Sequence, residues 1–274
     1  MTSPDQITVS QLAGLLGRPD MPVLVDICLD EDFEADPRLI PGAFRHPFDD
    51  IEALVPELGS KEAIVICQKG LKLSQGAASL LRSHGIAAGN LEGGNFAWRD
   101  AGQPLIPAGA MPPRHKSGGT CWVTGVGHEI GRIACPWLIS RFIDPKARFL
   151  FVEASQVMAV AERFGAAPFD IEGAFSSPRA ERCTFDIMLE QFQLETGPLL
   201  ELARIVRGVE TNRRDPAPQC AGLRAALLGI SRMYKNHQEQ LEAGFALYDA
   251  FYRWVLDARG EGHDHSPASR EQPA

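Results

Sequence analysis

The sequence predicts an α/β domain followed by a mostly helical α+β domain, and three observations support this. Short apolar strands alternate with helical stretches up to about residue 105. A segment rich in Pro and Gly follows, in which neither helix nor strand is expected to persist. Beyond it, most periodic segments have helical spacing. We therefore predict a domain at 1–105, a linker at 106–119, a second domain at 120–258 and a disordered tail at 259–274.

The first domain is predicted to be a parallel sheet covered by helices. Apolar strands are expected at residues 23–27 and 63–67, and a helix at residues 74–84. Strands that alternate with helices pair in parallel, because the chain must cross back over the sheet between them.

The second domain is predicted to contain two strands and six helices. The strands are expected at residues 120–124 and 148–152. The helices are expected at residues 132–142, 155–163 with Ser155 as N-cap, 185–194, 198–207, 221–229 and 231–256. The polar tail includes His263 and His265, for which a solvated role is expected and metal binding is the alternative.

Charge and composition exclude several classes of function. The chain has 274 residues, is 45% hydrophobic and carries a net charge of -8, of which -7 lies in residues 1–107. An acidic chain without a Lys/Arg cluster is not expected to bind nucleic acid or an anionic membrane. No apolar run approaches the roughly 18 to 20 residues that span a bilayer, and the N-terminal sequence lacks the features of a secretion signal. The expected location is therefore the cytoplasm.

No cofactor is expected from the motifs. The six cysteines are too widely spaced for a CxxC site and too few for a disulfide scaffold, so most are expected to be reduced. P-loop and GxGxxG motifs are absent from residues 120–256. His128 and Glu129 begin a zinc-protease pattern, but Arg132 stands where its second histidine belongs.

Cys67 lies where a reactive thiol would be placed. It ends a predicted strand and precedes a loop containing Gly70, after which a helix begins near Ser74. Unpaired backbone N–H groups and the positive end of the helix dipole favour the thiolate, which is the nucleophilic form. Lys69 and Lys72 add positive charge that attracts a small anion. The alternative is a buried strand-end hydrophobe, the usual role of a free cysteine.

Residues 7–105 resemble a rhodanese-like domain. The resemblance rests on VLVD at 23–26, IPGA at 40–43, CQKG at 67–70, LEGG at 91–94, Trp98 and GQP at 102–104, in that order. It implies sulfur transfer: Cys67 attacks a small anionic donor, thiosulfate or a persulfide, and passes the sulfur from its own persulfide to a thiol or protein acceptor. The loop N–H groups would stabilise the negative sulfur. The donor-binding residues would then be Gln68, Lys69, Gly70, Leu71 and Lys72.

Three positions depart from the rhodanese pattern. Cys28 replaces an Arg after the first strand, Leu39 replaces a His, and Lys72 replaces the loop Arg. Lys lacks the planar fork that binds an oxyanion at two points, so efficient use of thiosulfate is not expected. Cys28 is either inert packing or a thiol that resolves the Cys67 persulfide as a disulfide. Leu73 excludes the related phosphatase loop, which has Arg at that position.

Four arginines of the second domain stand beside apolar segments. They are Arg132, Arg141, Arg204 and Arg207. Arginines that enter a core must be paired or must bind an anion. They form either a network of structural ion pairs or an oxyanion pocket.

The second domain resembles the chromate-resistance domain of ChrB-type proteins. The resemblance rests on residues 132–145, Phe149, Val152, residues 183–186, 204–208, 240–244 and 248–250, and Trp254. It implies a role in chromate resistance as sensor, regulator or auxiliary enzyme, with chromate or another oxyanion as ligand of the arginines.

Two departures from this second family bear on metal binding. Residues 176–178 lack the family's His, and Asn236 and His237 replace an Asp pair. Whether a metal binds near Glu153, Asp186 or His237 stays open. The expected role of His237 is an exposed histidine on a helix. Cys135 is expected to be core, with a reductant thiol as the alternative.

Two functions follow as hypotheses. The first is a sulfurtransferase coupled to a domain that senses or helps detoxify chromate. The second is a chromate-responsive sensor with a degraded rhodanese module. A single site shared by both domains is a third, weaker idea, since a linker of about 15 residues can reach tens of ångströms.

Overall fold

A five-stranded sheet forms the centre of the N-terminal half in the computed structural model. The structure describes residues 5–115, 118–126, 131–171, 174, 182–211 and 217–258. The tail at 259–274, His128, Glu129 and residues 176–178 therefore lie outside the described residues.

The strands and helices have the following bounds. The strands are β1 (Gln6–Ile7), β2 (Val23–Asp26), β3 (Arg38–Leu39), β4 (Phe44–Arg45), β5 (Ala63–Ile66), β6 (Ala88–Leu91), β7 (Ile106–Pro107), β8 (Cys121–Gly125), β9 (Arg148–Val152) and β10 (Ala167–Pro168). The helices are α1 (Val9–Ala13), α2 (Asp30–Ala35), α3 (Val55–Leu58), α4 (Lys72–Ser83), α5 (Gly94–Asp100), α6 (Gly131–Leu138), α7 (Val157–Phe164), α8 (Thr184–Gln191), α9 (Gly197–Glu210), α10 (Cys220–Met233) and α11 (His237–Arg253).

The predicted fold class is confirmed in both halves. The first sheet has the strand order β1-β6-β5-β2-β4 with every pair parallel. The C-terminal half carries a three-stranded parallel sheet in the order β10-β8-β9 and is otherwise dominated by helices. None of the described helices combines the length and apolar character needed to cross a membrane.

Two predictions about where helices begin and end are wrong. The N-cap of α7 is Gln156 and not Ser155, because a 3₁₀ turn at Ala154–Gln156 precedes the helix. The single helix expected at 231–256 is interrupted: α10 runs to Met233, and Asn236 then caps α11 by accepting a hydrogen bond from the Gln238 N–H at 2.8 Å.

The predicted linker also contains regular structure. β7 pairs antiparallel with β3, and a 3₁₀ turn follows at Ala108–Ala110. Pro107 is tolerated because β7 is two residues long and ends in the turn. The connection is therefore packed along the N-terminal half.

Alternate residues of β5 point into two different cores. Val65 and Cys67 belong to a core that includes Ala78 and Leu81 of α4. Ile64 and Ile66 belong to a second core that continues into the C-terminal half, where it includes Trp137. Because successive strand side chains alternate between faces, α4 packs on one face of the sheet, and the other face lies against a core that contains Leu12 of α1, Trp98 of α5 and residues of the C-terminal half.

Direct contacts join the two halves. Gly17 has φ +76°, and a Cβ there would overlap the Phe142 ring and lie 2.9 Å from Tyr252. Lys146 pairs with Glu57, and its ammonium lies 4.3 Å from the centre of the Phe44 ring. The two halves therefore share one continuous packed interior.

Candidate active site around Cys67

Cys67 lies at the carboxyl end of β5 and just before α4, as the sequence predicts. Its side chain is buried, with 5% of the residue exposed. The thiol hydrogen bonds to Ser74 Oγ at 3.2 Å, and Ser74 Oγ in turn donates to the Leu71 carbonyl at 3.2 Å. The thiol is thus held under the first turn of α4, whose leading N–H groups have no intrahelical acceptors.

Two glycines let the loop after Cys67 close tightly. Gly70 has φ +65°, and a Cβ there would come within 2.6 Å of the backbone nitrogens of Gly93 and Gly94. Gly94 has φ +58°, and its Cβ would overlap the Cys67 carbonyl oxygen. Only glycine combines this backbone conformation with so close an approach. The loop around Cys67 is therefore built on backbone-to-backbone contact.

The predicted donor-binding residues divide into fixed and exposed side chains. Gln68 donates to the Asp32 carboxylate at 2.9 Å, which ties the loop to α2. Lys69 and Lys72 are exposed, and Leu71 is 57% exposed. The predicted positive charge is therefore accessible to solvent, beside an acidic helix that also carries Asp30, Glu31 and Glu34.

Cys28 lies close to Cys67, at the end of the neighbouring strand. It is 7% exposed. Burial raises the pKa of the Cys28 thiol, and the negative charge of Asp26 raises it further. Burial likewise raises the pKa of Asp26, against the opposing effect of hydrogen bonds from Asn95 and Cys28. Cys28 is consequently held as a neutral thiol.

The structure does not bring Cys67 and the four arginines together. Cys67 belongs to the core on the α4 face of the sheet, whereas the core that the two halves share lies on the other face. Among the described residues, Cys67 therefore lies in a different core from the one that the two halves share, and a single joint site stays a prediction.

The arginines themselves occupy separate places. Arg141 makes a two-point ion pair with Asp249 at 2.8 and 2.9 Å. Arg204 is 44% exposed and lies 3.7 Å from Glu201, while Arg207 lies 3.6 Å from Asp186. Arg132 is buried at 8% exposure and has interactions of its own. Three of the four are thus seen in ion pairs, and an oxyanion pocket stays a prediction.

A buried acidic cluster surrounds Cys183. Asp186 accepts a hydrogen bond from the Cys183 N–H at 3.0 Å, and its carboxylate lies 3.2 Å from the Cys183 sulfur. Burial and the charge of Asp170 raise the pKa of Glu210 to about 8. Burial also raises the pKa of Tyr248, whose hydroxyl lacks a hydrogen-bond partner within the described part of the chain. Glu210 and Tyr248 therefore favour their protonated forms.

Among the described residues, the remaining metal-site candidates are not grouped as ligands. His237 packs its ring 5.1 Å from that of Phe151, and Glu153 is exposed. Cys135 is fully buried, and burial raises the pKa of its thiol. Within the described ranges, no three His, Cys, Asp or Glu side chains are arranged to hold a metal ion.

Sequence reasoning missed several residues. Ser74 and Asn95 contact the two thiols, and Asp170 and Tyr248 adjoin the acidic cluster. Asn95 carried a local signal, since it follows directly after the glycine pair that closes on Cys67, and Tyr248 lies within the segment 248–250 noted in the sequence. Asp170 adopts φ +55°, which a sequence does not disclose.

Family comparisons match the two halves separately. Residues 8–101 match the model of the rhodanese-like domain, and residues 122–255 match that of the ChrB C-terminal domain. The curated protein ChrB from Cupriavidus metallidurans is 32% identical over 155 residues. That match covers 55% of this chain and 46% of the relative, so the chain spans about half the length of the curated protein it matches.

Solved structures similar to this chain cover its N-terminal part. A protein of unknown function from Rhodopseudomonas palustris, described as a possible tyrosine phosphatase, is 30% identical over 37% of this chain and 83% of its own, with a TM-score of 0.34. A rhodanese-like domain protein from Staphylococcus aureus is 29% identical over 34% and 90%, with a TM-score of 0.31. A thiosulfate sulfurtransferase from Pseudomonas aeruginosa is 27% identical over 38% and 19%, with a TM-score of 0.34.

Proposed function

Because the chain joins a rhodanese-like domain at 8–101 to a ChrB C-terminal domain at 122–255, we propose that it is a sulfurtransferase working in chromate resistance. Cys67 carries the transferred sulfur as a persulfide, and the ChrB C-terminal domain senses or helps detoxify chromate. The observation that supports the first step is the glycine-built loop between Cys67 and α4.

This loop suits a negatively charged sulfur. The Cys67 thiolate attacks the sulfane sulfur of a donor R–S–S⁻, so that the new bond joins Cys67 Sγ to that sulfur while R–S⁻ leaves. The product carries its charge on the outer sulfur. The leading N–H groups and the dipole of α4 stabilise an anion at that position without reorganising during the reaction.

The charges around the loop favour a persulfide over thiosulfate as donor. Lys72 offers one point charge where a dianion needs a planar fork. On the other side Asp32 reaches the loop through Gln68, within an acidic helix. A dianion is repelled by these carboxylates more than a monoanion is, so an alkyl persulfide is the better donor.

Sulfur loading tests the proposal directly. The full chain is incubated with glutathione persulfide or with thiosulfate, freed of donor, and assayed for cyanolysable sulfur and for the mass of one added sulfur atom. We expect loading by glutathione persulfide, weaker loading by thiosulfate, and none in Cys67→Ser. Cys121→Ser, which alters another buried cysteine in the C-terminal half, is the matched control and should retain loading. Loading that survives in Cys67→Ser would refute the proposal.

A chromate sensor without sulfur transfer is the second candidate. The observation that favours it is the core shared by the two halves, through which a ligand bound in one half can strain the other. Titration calorimetry with chromate on the wild-type chain and on Arg132→Ala distinguishes the candidates. Chromate binding in a chain that accepts no sulfur from either donor would favour the sensor.

A further inference from the structure

Three exposed apolar side chains lie at the edge of the sheet where β5 ends and the Cys67 loop begins. In the described part of the N-terminal half, the exposed large apolar residues are Leu29, Phe48, Leu71 and Leu80. Leu29 follows β2, Phe48 follows β4 and Leu71 follows β5, and these strands are neighbours in the parallel sheet. Because neighbouring strands are about 4.8 Å apart, the three strand ends span roughly 10 Å. We call Leu29, Phe48 and Leu71 the apolar rim.

Polar contacts hold the members of the apolar rim in one surface. Arg45, at the end of β4, donates to the Asp30 carboxylate at 2.8 Å, and Asp30 comes directly after Leu29. On the other side, Gln68 of the loop after β5 donates to Asp32 at 2.9 Å. The segment after β2 is therefore tied to both of its neighbours. Single exposed apolar residues are ordinary, whereas a group of them marks an interaction site.

Carboxylates outnumber cations around the apolar rim. The three segments that carry it are residues 29–34, 45–50 and 67–72. They hold six acidic residues, Asp30, Glu31, Asp32, Glu34, Asp49 and Asp50, and three basic ones, Arg45, Lys69 and Lys72. All six acids follow β2 or β4, whereas both lysines follow β5. A positively charged partner therefore fits the side of β2 and β4, while the lysines stay available to a small anionic donor.

The burial of Cys67 decides what kind of acceptor suits the site. Cys67 is 5% exposed, whereas Leu71 of the same loop is 57% exposed. An extended protein segment can cover Leu71 while one of its side chains points inward at the sulfur. Glutathione carries a net negative charge and no large apolar side chain, so it gains nothing from the apolar rim and is repelled by the carboxylates. The surface thus favours a protein thiol over glutathione as acceptor.

We propose that the sulfur acceptor is a cysteine of a protein segment that packs apolar side chains on the apolar rim and places Lys or Arg against the carboxylates after β2 and β4. This inference rests on the proposed sulfur transfer. The acceptor sulfur attacks the outer sulfur of the Cys67 persulfide, the bond from that sulfur to Cys67 Sγ breaks, and its electron pair stays on Cys67. The proton of the acceptor thiol passes to Cys67 Sγ. The products are the acceptor persulfide and the Cys67 thiol, so the step needs no external oxidant or reductant.

Peptide acceptors of defined composition test this inference. The full chain is loaded with glutathione persulfide, freed of donor, and mixed with glutathione or with one of three peptides that contain a single cysteine. The first peptide carries leucines and lysines, the second has serines in place of the leucines, and the third has glutamates in place of the lysines. The rate of persulfide transfer is followed by mass spectrometry. Each rate is divided by the rate at which the same thiol reduces hydroxyethyl disulfide, a neutral reagent, which corrects for thiol reactivity.

The expected order of rates follows from the rim and its charges. The first peptide should accept sulfur at least about tenfold faster than glutathione and than the other two peptides, because it alone combines apolar contacts with positive charge. Its advantage over glutathione should shrink as salt is raised, because salt screens exposed charges.

Variants of the apolar rim give the matched comparison. Leu29→Ser and Phe48→Ser should each slow transfer to the first peptide by about fivefold relative to transfer to glutathione, a loss typical of an apolar anchor in an interface. Leu80→Ser is the control, since Leu80 is 39% exposed, as Leu29 is, but lies about 12 Å along α4 from its first residue. It should transfer sulfur to the first peptide as wild type does.

Three results would overturn this inference and leave sulfur transfer through Cys67 intact. One is a single corrected rate for all three peptides. Another is a Phe48→Ser chain that keeps the full preference for the first peptide. The third is a wild-type dimer in sedimentation that Phe48→Ser separates, since a second copy of the chain would then cover the apolar rim. A wild-type chain that takes up no sulfur in the loading step refutes the proposed sulfur transfer itself, and that step is measured separately.

Discussion

Gly94→Ala should disable the loop that holds the Cys67 sulfur. Gly94 has φ +58°, so a side chain there costs about 1–2 kcal/mol for the backbone conformation alone. The added Cβ would also overlap the Cys67 carbonyl oxygen and lie 2.5 Å from the Gly70 nitrogen. Because both neighbours are backbone atoms, a rotamer change gives no relief, and overpacking adds about 1–3 kcal/mol.

Gly165→Ala measures the free-energy cost of placing a side chain at positive φ without any steric overlap. Gly165 ends α7 with φ +61°, and a Cβ there would meet nothing within 4 Å. We expect Gly165→Ala to lower the free energy of unfolding by about 1–2 kcal/mol and Gly94→Ala by about 2–5 kcal/mol. Urea denaturation measures both.

The second measurement on Gly94→Ala and Gly165→Ala is the amount of sulfur loaded per folded chain. Gly94→Ala should load poorly with glutathione persulfide, because the Cys67 carbonyl must move and the loop N–H groups move with it. Gly165→Ala should load normally. Equal destabilisation of the two variants, together with full loading of Gly94→Ala, would show that close backbone approach does not shape this site.

Three further predictions concern the C-terminal half and its contact with the sheet. Arg141→Ala should lower the free energy of unfolding by about 2 kcal/mol, because it leaves the half-buried Asp249 without its two-point partner. Arg204→Ala, which removes an exposed guanidinium 3.7 Å from Glu201, should cost under about 0.5 kcal/mol in the same urea titration. Glu210 has its pKa raised to about 8 from an ordinary value of 4.5, so the folded chain holds a proton that the unfolded chain releases. Stability should therefore fall as pH rises from about 5 through 8, and Glu210→Gln should flatten that slope, a result contradicted if both chains lose stability in parallel. Gly17→Ala should push Phe142 and Tyr252 away from the sheet and speed proteolysis within residues 106–119, whereas Gly14→Ala, whose Cβ would meet its nearest atom at 3.5 Å, should not.

The sequence correctly predicted the strand bounds and residue positions that depend on local patterns. β9 has the bounds that its apolar run indicates, and Cys67 lies at the strand end that its neighbours imply. The break before α11 was missed because residues 231–240 contain no Gly or Pro to mark it, while the cap depends on one Asn236 side chain. The approach of Gly94 to Cys67 joins residues 27 positions apart, and local patterning carries no information on such a contact.

Strand β5 links the two cores, because its successive side chains alternate between the two faces of the sheet. Ile66 points into the core shared with the C-terminal half, and the next residue, Cys67, points to the opposite face. Protein interiors are packed closely enough to transmit strain, so a shift of the shared core that reaches Ile66 is one peptide unit from the reactive sulfur. If the C-terminal half binds chromate as proposed, the bound anion would influence Cys67 through β5 without touching it. A bulkier or smaller side chain at Ile66 should therefore change both the packing of the two halves and the position of Cys67.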